Sequence, residues 1–308
     1  MKLKLLIILI TLAILASSAF GRLSEEKLRY KFLVLCAGDI KYYDQFEFVK
    51  KKLSKEGKPA VWLAIQYMGR KSPRKARAIK WVAEGVGEDA VEPLTYVLTR
   101  PDEDNAAYAA YLLGEIGSRK AAVPLMLAAK SESNKLRSAA VGALGSCGDT
   151  SAVPILIEAL SDTLPGVRRR AALSLGKLKD KRAIQHLIPL MGDTCVFVRY
   201  TTSYALAQIG GEKTTKILLE KLQSDTLDNI ERYHIIETLG LLNSDESLPT
   251  LLELLEDPLY LNRGFACQAL GHFRGHYEVA NALKRSLHDA SGFVQMMAHD
   301  ALKSIRND

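Results

Sequence analysis

Apolar and polar positions alternate in blocks along most of this chain. Val167, Ala171, Leu175 and Leu178 recur at three- and four-residue spacing, which predicts a helix over 167–178 with one buried face. A short polar turn follows. Ile184, Leu187, Ile188 and Met191 then repeat the spacing and predict a second helix over 183–191. The pair recurs: Gly114, Gly145, Gly176, Gly240 and Gly271 keep one constant step, doubled between Gly176 and Gly240. Ala207 falls inside the doubled gap, and Ala83 lies one such step before Gly114.

A second marker keeps the same period. DTLPGVR (162–168), DTCVFVR (193–199), DTLDNIE (225–231), DPLYLNR (257–263) and DASGFVQ (289–295) follow one another at the step of the glycines, to within a single position. Each Asp, with its Thr or Pro neighbour, forms a turn and offers oxygens to the unpaired N–H groups of the helix that begins there. Neither helix of a pair can bury its apolar stripe alone, so successive pairs must stack. The pattern predicts an all-α fold, an α-solenoid of two-helix repeats over 74–308. It holds about seven repeats and a terminal half-repeat from Phe293 to Ile305.

The tile Asp-x5-Arg…AALSLGKLKDKRAIQHLIPL resembles a HEAT repeat, in particular the short HEAT-like repeats of the phycobilisome (phycocyanobilin) lyase class. That resemblance implies a structural ladder between neighbouring repeats, made by Asp162, Asp193, Asp225, Asp257 and Asp289 with Arg168, Arg199 and Arg263. Glu231 and Gln295 stand at the arginine position of the other two joints and depart from the pattern. The resemblance also implies a second functional reading: a protein that acts on or holds a tetrapyrrole, or a relative of metal-dependent oxidoreductases built on such repeats. No motif residue carries over to support either.

The N-terminus is different material. Residues 1–21, MKLKLLIILITLAILASSAFG, place Lys2 and Lys4 before an apolar run and end in small residues, the layout of a secretory signal peptide cleaved after Ala19 or Gly21. The expectation is export to the periplasm or medium, with an uncleaved membrane anchor as the alternative. Residues 22–73 are not clearly tiled; SEEKLRYKFLVL, capped by Ser24, DIKYYDQFEFVKKKL and KPAVWLAIQYM read as three helices and predict an N-terminal helical cap that includes at most one degenerate repeat.

Composition narrows the function classes. Apolar residues make up 48% and aromatics only 7%, so the core must be aliphatic and suited to closely packed helices. The formal charge of +7 falls to +5 for a chain starting at Arg22, a mild excess taken as diffuse, and no nucleic-acid partner is expected. The basic group Arg168, Arg169, Arg170, Lys177, Lys179, Lys181 and Arg182 points in several directions on helical geometry and lacks interleaved aromatics.

Candidate chemistry is thin. EGVGEDA matches a dinucleotide fingerprint at Gly85, Gly87 and Ala90, but a helix precedes it and its place in the tile is a helix-to-helix turn. Gly176-Lys177 lacks the upstream glycine of a phosphate loop. His272, His276 and Glu278 crowd one turn, read as polar surface rather than a ligand set. Cys36, Cys147, Cys195 and Cys267 are expected as mostly free thiols, with Cys267 buried, because stacked repeats keep most pairs out of disulfide reach. No cofactor or metal is called for. What remains is the face of the second helices, where Glu158, Gln185, His186, Lys216, Glu220, Glu253, Lys284 and Arg285 form a candidate concave surface. Pro249 and Asn281 lie among them, with Ile155, Leu190 and Leu254 as apolar spots. An extended mixed surface suits another polypeptide better than catalysis. The sequence therefore points to a non-enzymatic, exported scaffold that binds a protein or peptide partner.

Overall fold

The computed structural model describes residues 23–37, 43–69, 72–224 and 227–306. Every regular element among them is helical. The chain divides into two compact units, residues 1–147 and 148–308.

In the first unit, α1 (Glu25–Ala37), α2 (Tyr43–Lys55) and α3 (Lys58–Ile65) pack on α4 (Pro73–Val86). Phe32, Leu35 and Leu53 fill their shared core, and the Phe32 and Tyr67 rings meet at 5.0 Å. The repeating pattern starts with α4 and α5 (Val91–Leu98) and continues through α6 (Glu103–Ile116), α7 (Ala122–Ala128) and α8 (Asn134–Cys147). Gly87, read as part of a turn, ends α4 with φ of 68° and leads through a 3-10 turn into α5.

The second unit holds α9 (Val153–Ala159), α10 (Pro165–Leu178), α11 (Ile184–Leu187), α12 (Val196–Ile209) and α13 (Glu212–Leu222). They are followed by α14 (Asn229–Leu242), α15 (Leu248–Glu253), α16 (Tyr260–Leu270), α17 (Tyr277–Ser286) and α18 (Gly292–Arg306). The long first helices α10, α12, α14, α16 and α18 pack side by side, each on the next. The short second helices α9, α11, α13, α15 and α17 lie against them. This is an all-α solenoid.

The anchor glycines mark where first helices come closest. A Cβ on Gly176 would sit 2.9 Å from the Cα of Ala205, one on Gly240 2.6 Å from that of Ala269, and one on Gly114 2.9 Å from that of Ala143. No side chain fits there, so one period of the sequence records backbone crossings. Turns between paired helices are closed by short polar caps: the Asp149 and Asp180 carboxylates accept from the Ser151 and Arg182 amides at 2.9 Å.

One element differs from the sequence reading. The continuous helix expected over 183–191 is a 3-10 turn (Lys181–Ala183), the single α-turn α11 and a second 3-10 stretch (Ile188–Gly192). Pro189 has no N–H to donate to the Gln185 carbonyl, so the α-helical ladder stops there. Apolar spacing survives the change, because Ile184, Leu187, Ile188 and Met191 are all buried.

Candidate functional site

The loops before α10, α12, α16 and α18 are built the same way. Asp162, Asp193, Asp257 and Asp289 accept the backbone N–H two residues on, at 2.7–2.8 Å, which folds the turn. Six residues later a side chain reaches back to the carbonyl of that Asp: Arg168 to Asp162 at 2.8 Å, Arg199 to Asp193 at 2.7 Å, and Arg263 to Asp257 at 2.8 Å. Gln295 does the same to Asp289 at 2.7 Å, so its departure from arginine keeps this bond.

Two of these arginines also bridge to the next repeat. Arg168 holds both oxygens of Asp193 at 2.7 and 2.8 Å, and Arg263 holds those of Asp289 at 2.7 and 2.9 Å. The Arg168 and Asp193 side chains are only 14% and 8% exposed. Burial works against the Asp193 carboxylate, but hydrogen bonds from Arg168 and the Cys195 amide outweigh it and hold its pKa below the usual value. Arg263 holds Asp289 down in the same way. Such forked pairs fix direction as well as distance.

The joint between α12 and α14 is different. Arg199 donates its Nε to the Nε2 of His234 at 3.2 Å, and His234 Nδ1 meets Glu237 at 2.9 Å. The other ladder residue expected there, Asp225, lies outside the described residues. The sequence placed Glu231 at the arginine position of this joint. In the structure Arg232 holds it, in the register of Gly240 with Gly176, and donates to the carbonyls of Leu222 and Ser224 at 3.1 and 3.4 Å. Asp225 and Arg232 are seven positions apart where the other Asp–Arg pairs are six, and that one extra residue moves the arginine by one. Glu231 instead pairs with Lys221 at 2.7 Å.

The eight residues proposed for a binding face are all exposed: Glu158 on α9, Gln185 and His186 on α11, Lys216 and Glu220 on α13, Glu253 on α15, Lys284 and Arg285 on α17. Repeat register sorts most of them into two rows one helical turn apart. Glu158, Glu220, Glu253 and Lys284 share one position with Pro189; Gln185 and Lys216 share the other with Pro154 and Pro249. Lys216 is tied along its own helix to Glu212 at 2.7 Å. Arg285 stands apart from both rows and lines an open groove of about 300 Å³ between the α15 and α17 segments, with Leu252, Leu255, Glu256 and Tyr277. Tyr277 is 82% exposed there. His186 belongs to neither row. The groove offers carboxylates, a guanidinium and a phenol around an open floor.

The residues 91–173, 122–201, 156–231 and 227–303 match the family model for HEAT repeats. The chain belongs to the HEAT-repeat family. Among solved structures similar to it is human deoxyhypusine hydroxylase in complex with glycerol, at 20% identity over 85% of this chain and 99% of that one, with a TM-score of 0.36. Another is the complex of CpcE and CpcF of phycocyanin lyase from Nostoc sp., at 24% identity over 70% and 94%, with a TM-score of 0.43. A third is the YibA protein of E. coli, at 19% identity over 87% and 98%, with a TM-score of 0.49. No curated protein matches the sequence significantly.

The HEAT repeats dispose of the other sequence candidates individually. Within the basic group, Arg168 is in the ladder and Arg182 pairs with Asp180. His276 lies 3.7 Å from Asp245, while His272 is on the exposed turn after α16. Cys36 and Cys267 are buried, and burial pushes both thiols up to about 11, away from reactivity at neutral pH. One surface escaped the sequence reading: the first helices of the second unit expose Phe197, Tyr200, Tyr204 and Tyr260. Next to them Tyr233 stacks on Phe265 at 4.7 Å, and Phe293 fills the space above Gly264. Helical spacing alone assigns such aromatics to the core; their fall on the positions taken by Gly166, Arg169 and Leu173 in the preceding repeat was the available signal.

Proposed function

We propose that this HEAT-repeat protein is a non-enzymatic, exported scaffold that holds a polypeptide partner along the second-helix face of residues 148–308. The observation that carries this reading is the pair of exposed rows, repeated from α9 to α17 and ending at the groove beside Tyr277 and Arg285. Stacked repeats present side chains at a fixed step, and an extended chain meets them in succession. Export rests on residues 1–21 alone, which lie outside the described residues.

In-cell cross-linking from photoreactive residues at Gln185, Glu220 and Glu253, followed by mass spectrometry, tests the face. The expected result is one dominant partner, lost when Lys284 and Arg285 are reversed to Glu and Leu254 is cut to Ala. Cross-links that survive those changes unaltered contradict the assignment. The mass of the native protein tests export: loss of the segment ending at Ala19 or Gly21 supports it, and retention supports a membrane anchor.

A further inference from the structure

The net charge hides an uneven distribution. Residues 22–80 hold sixteen basic and six acidic side chains, whereas residues 81–308 hold twenty-four basic and twenty-nine acidic. The excess that looked diffuse is concentrated in the N-terminal cap and α4, directly after the apolar segment that ends at Phe20. The repeats beyond are net acidic.

The structure shows what the cap does with that charge. On α1 and α2, Lys27, Tyr30, Lys31 and Lys52 line an open depression of about 430 Å³ together with Leu23 and Glu26. Phe48 stands beside it, 59% exposed, with the Lys31 and Lys52 ammonium groups 5.7 and 5.2 Å from its ring centroid. Tyr30 is 68% exposed. Where α2 meets α4, Lys50 and Arg77 flank the Trp81 ring at 5.9 and 5.6 Å. Elsewhere in this unit lysines are matched to acids about one repeat away: Lys58 with Glu92, Lys80 with Glu115, Lys120 with Glu88, Lys135 with Asp104. Among the described residues, Lys27, Lys31, Lys51 and Lys52 make no such pair.

We infer that this face of α1 and α2 docks on an anionic lipid bilayer. Exposed aromatic rings among long cationic side chains match the headgroup layer, where rings settle at the interface and ammonium groups meet phosphates. The surface begins at Leu23, just after the apolar run ends, so a retained N-terminal segment delivers it to the membrane and a cleaved one leaves it as a separate, charge-driven contact. This inference stands apart from the partner-binding reading, which concerns residues 148–308.

Flotation of the full chain with vesicles of pure phosphatidylcholine, and of phosphatidylcholine with phosphatidylglycerol, tests it across a salt series. Binding is expected to favour the anionic vesicles and to weaken as salt rises. Reversal of Lys27, Lys31, Lys51 and Lys52 to Glu should lower anionic-vesicle affinity by at least about a hundredfold, since each basic residue near such a surface contributes on the order of 1 kcal/mol. If that variant does not fold, neutralising exposed Lys51 and Lys52 to Gln should give a smaller loss of the same sign. Equal binding to neutral and anionic vesicles overturns the inference. So does tighter binding to a soluble polyanion, such as single-stranded DNA, at equal salt.

Discussion

The joint between α10 and α12 and the joint between α12 and α14 are built from the same tile and locked differently. At the first, Arg168 grips Asp193 with two bonds, and Gly176 lets α12 approach to backbone contact. At the second, among the described residues, Arg199 makes one bond across the joint, to His234, and Ala207 replaces the anchor glycine. On α12 itself, the buried hydroxyls of Thr202 and Ser203 have no hydrogen-bond partner among the described residues. In a stack, each repeat is stabilised by its own helices and its immediate neighbours. The α12/α14 joint should therefore open before the α10/α12 joint, and the second-helix face should bend there more readily. A face built of repeats bends at its weaker joints.

The greatest loss of stability should fall on the first joint. Arg168→Ala strands a mostly buried carboxylate and should cost about 3 kcal/mol, whereas Arg199→Ala removes hydrogen bonds to His234 and to the Asp193 carbonyl, strands no carboxylate, and should cost about 1–2 kcal/mol. Urea unfolding followed by circular dichroism measures both, and equal losses would erase the distinction. Next in size is the backbone crossing. Gly176→Ala forces a methyl group against Ala205 and should cost roughly 1–3 kcal/mol. Ala207→Gly leaves packing alone and should cost about 1 kcal/mol through helix propensity.

Acid acts on the same contrast. Asp193 and Asp289 titrate lower in the folded chain than the ordinary 3.8, so their contribution is complete above that value and is lost as pH falls through the folded values. Stability measured from neutral pH downward should drop steeply below about pH 4. Asp193→Asn should remove part of that slope; an unchanged slope would show that the Arg168 pair is not its source. The smallest change belongs to the end of α10, where Lys179 closes the helix with φ of 54°, a conformation that strains any side chain. Lys179→Gly should stabilise by about 0.5 kcal/mol, seen as a small rise in the urea midpoint.

Much of the fold was legible because its rules are linear. Helical spacing marks Val167 and Leu175 as core, and the constant step of the repeat marks Gly176 as a crossing point. Pro189 broke the second helix without moving its buried residues. The locks were less legible, since their partners lie a full repeat away. One extra loop residue put Arg232, not Glu231, into the arginine position. Nothing local to Arg199 announces His234, a repeat further along the chain. Exposure decided the rest. Phe197 and Tyr200 carry helical spacing like core residues yet face outward. The cap lysines that make no ion pair among the described residues, Lys27, Lys31, Lys51 and Lys52, were averaged away by a whole-chain charge.

One tile yields joints of two strengths, and native-state hydrogen exchange resolved by residue is the decisive experiment. Amides of α12 and α14 facing their shared joint should exchange before those of α10 and α16, while the protein stays folded. Simultaneous exchange across α10, α12, α14 and α16, or earlier opening at the Arg168–Asp193 joint, would contradict it.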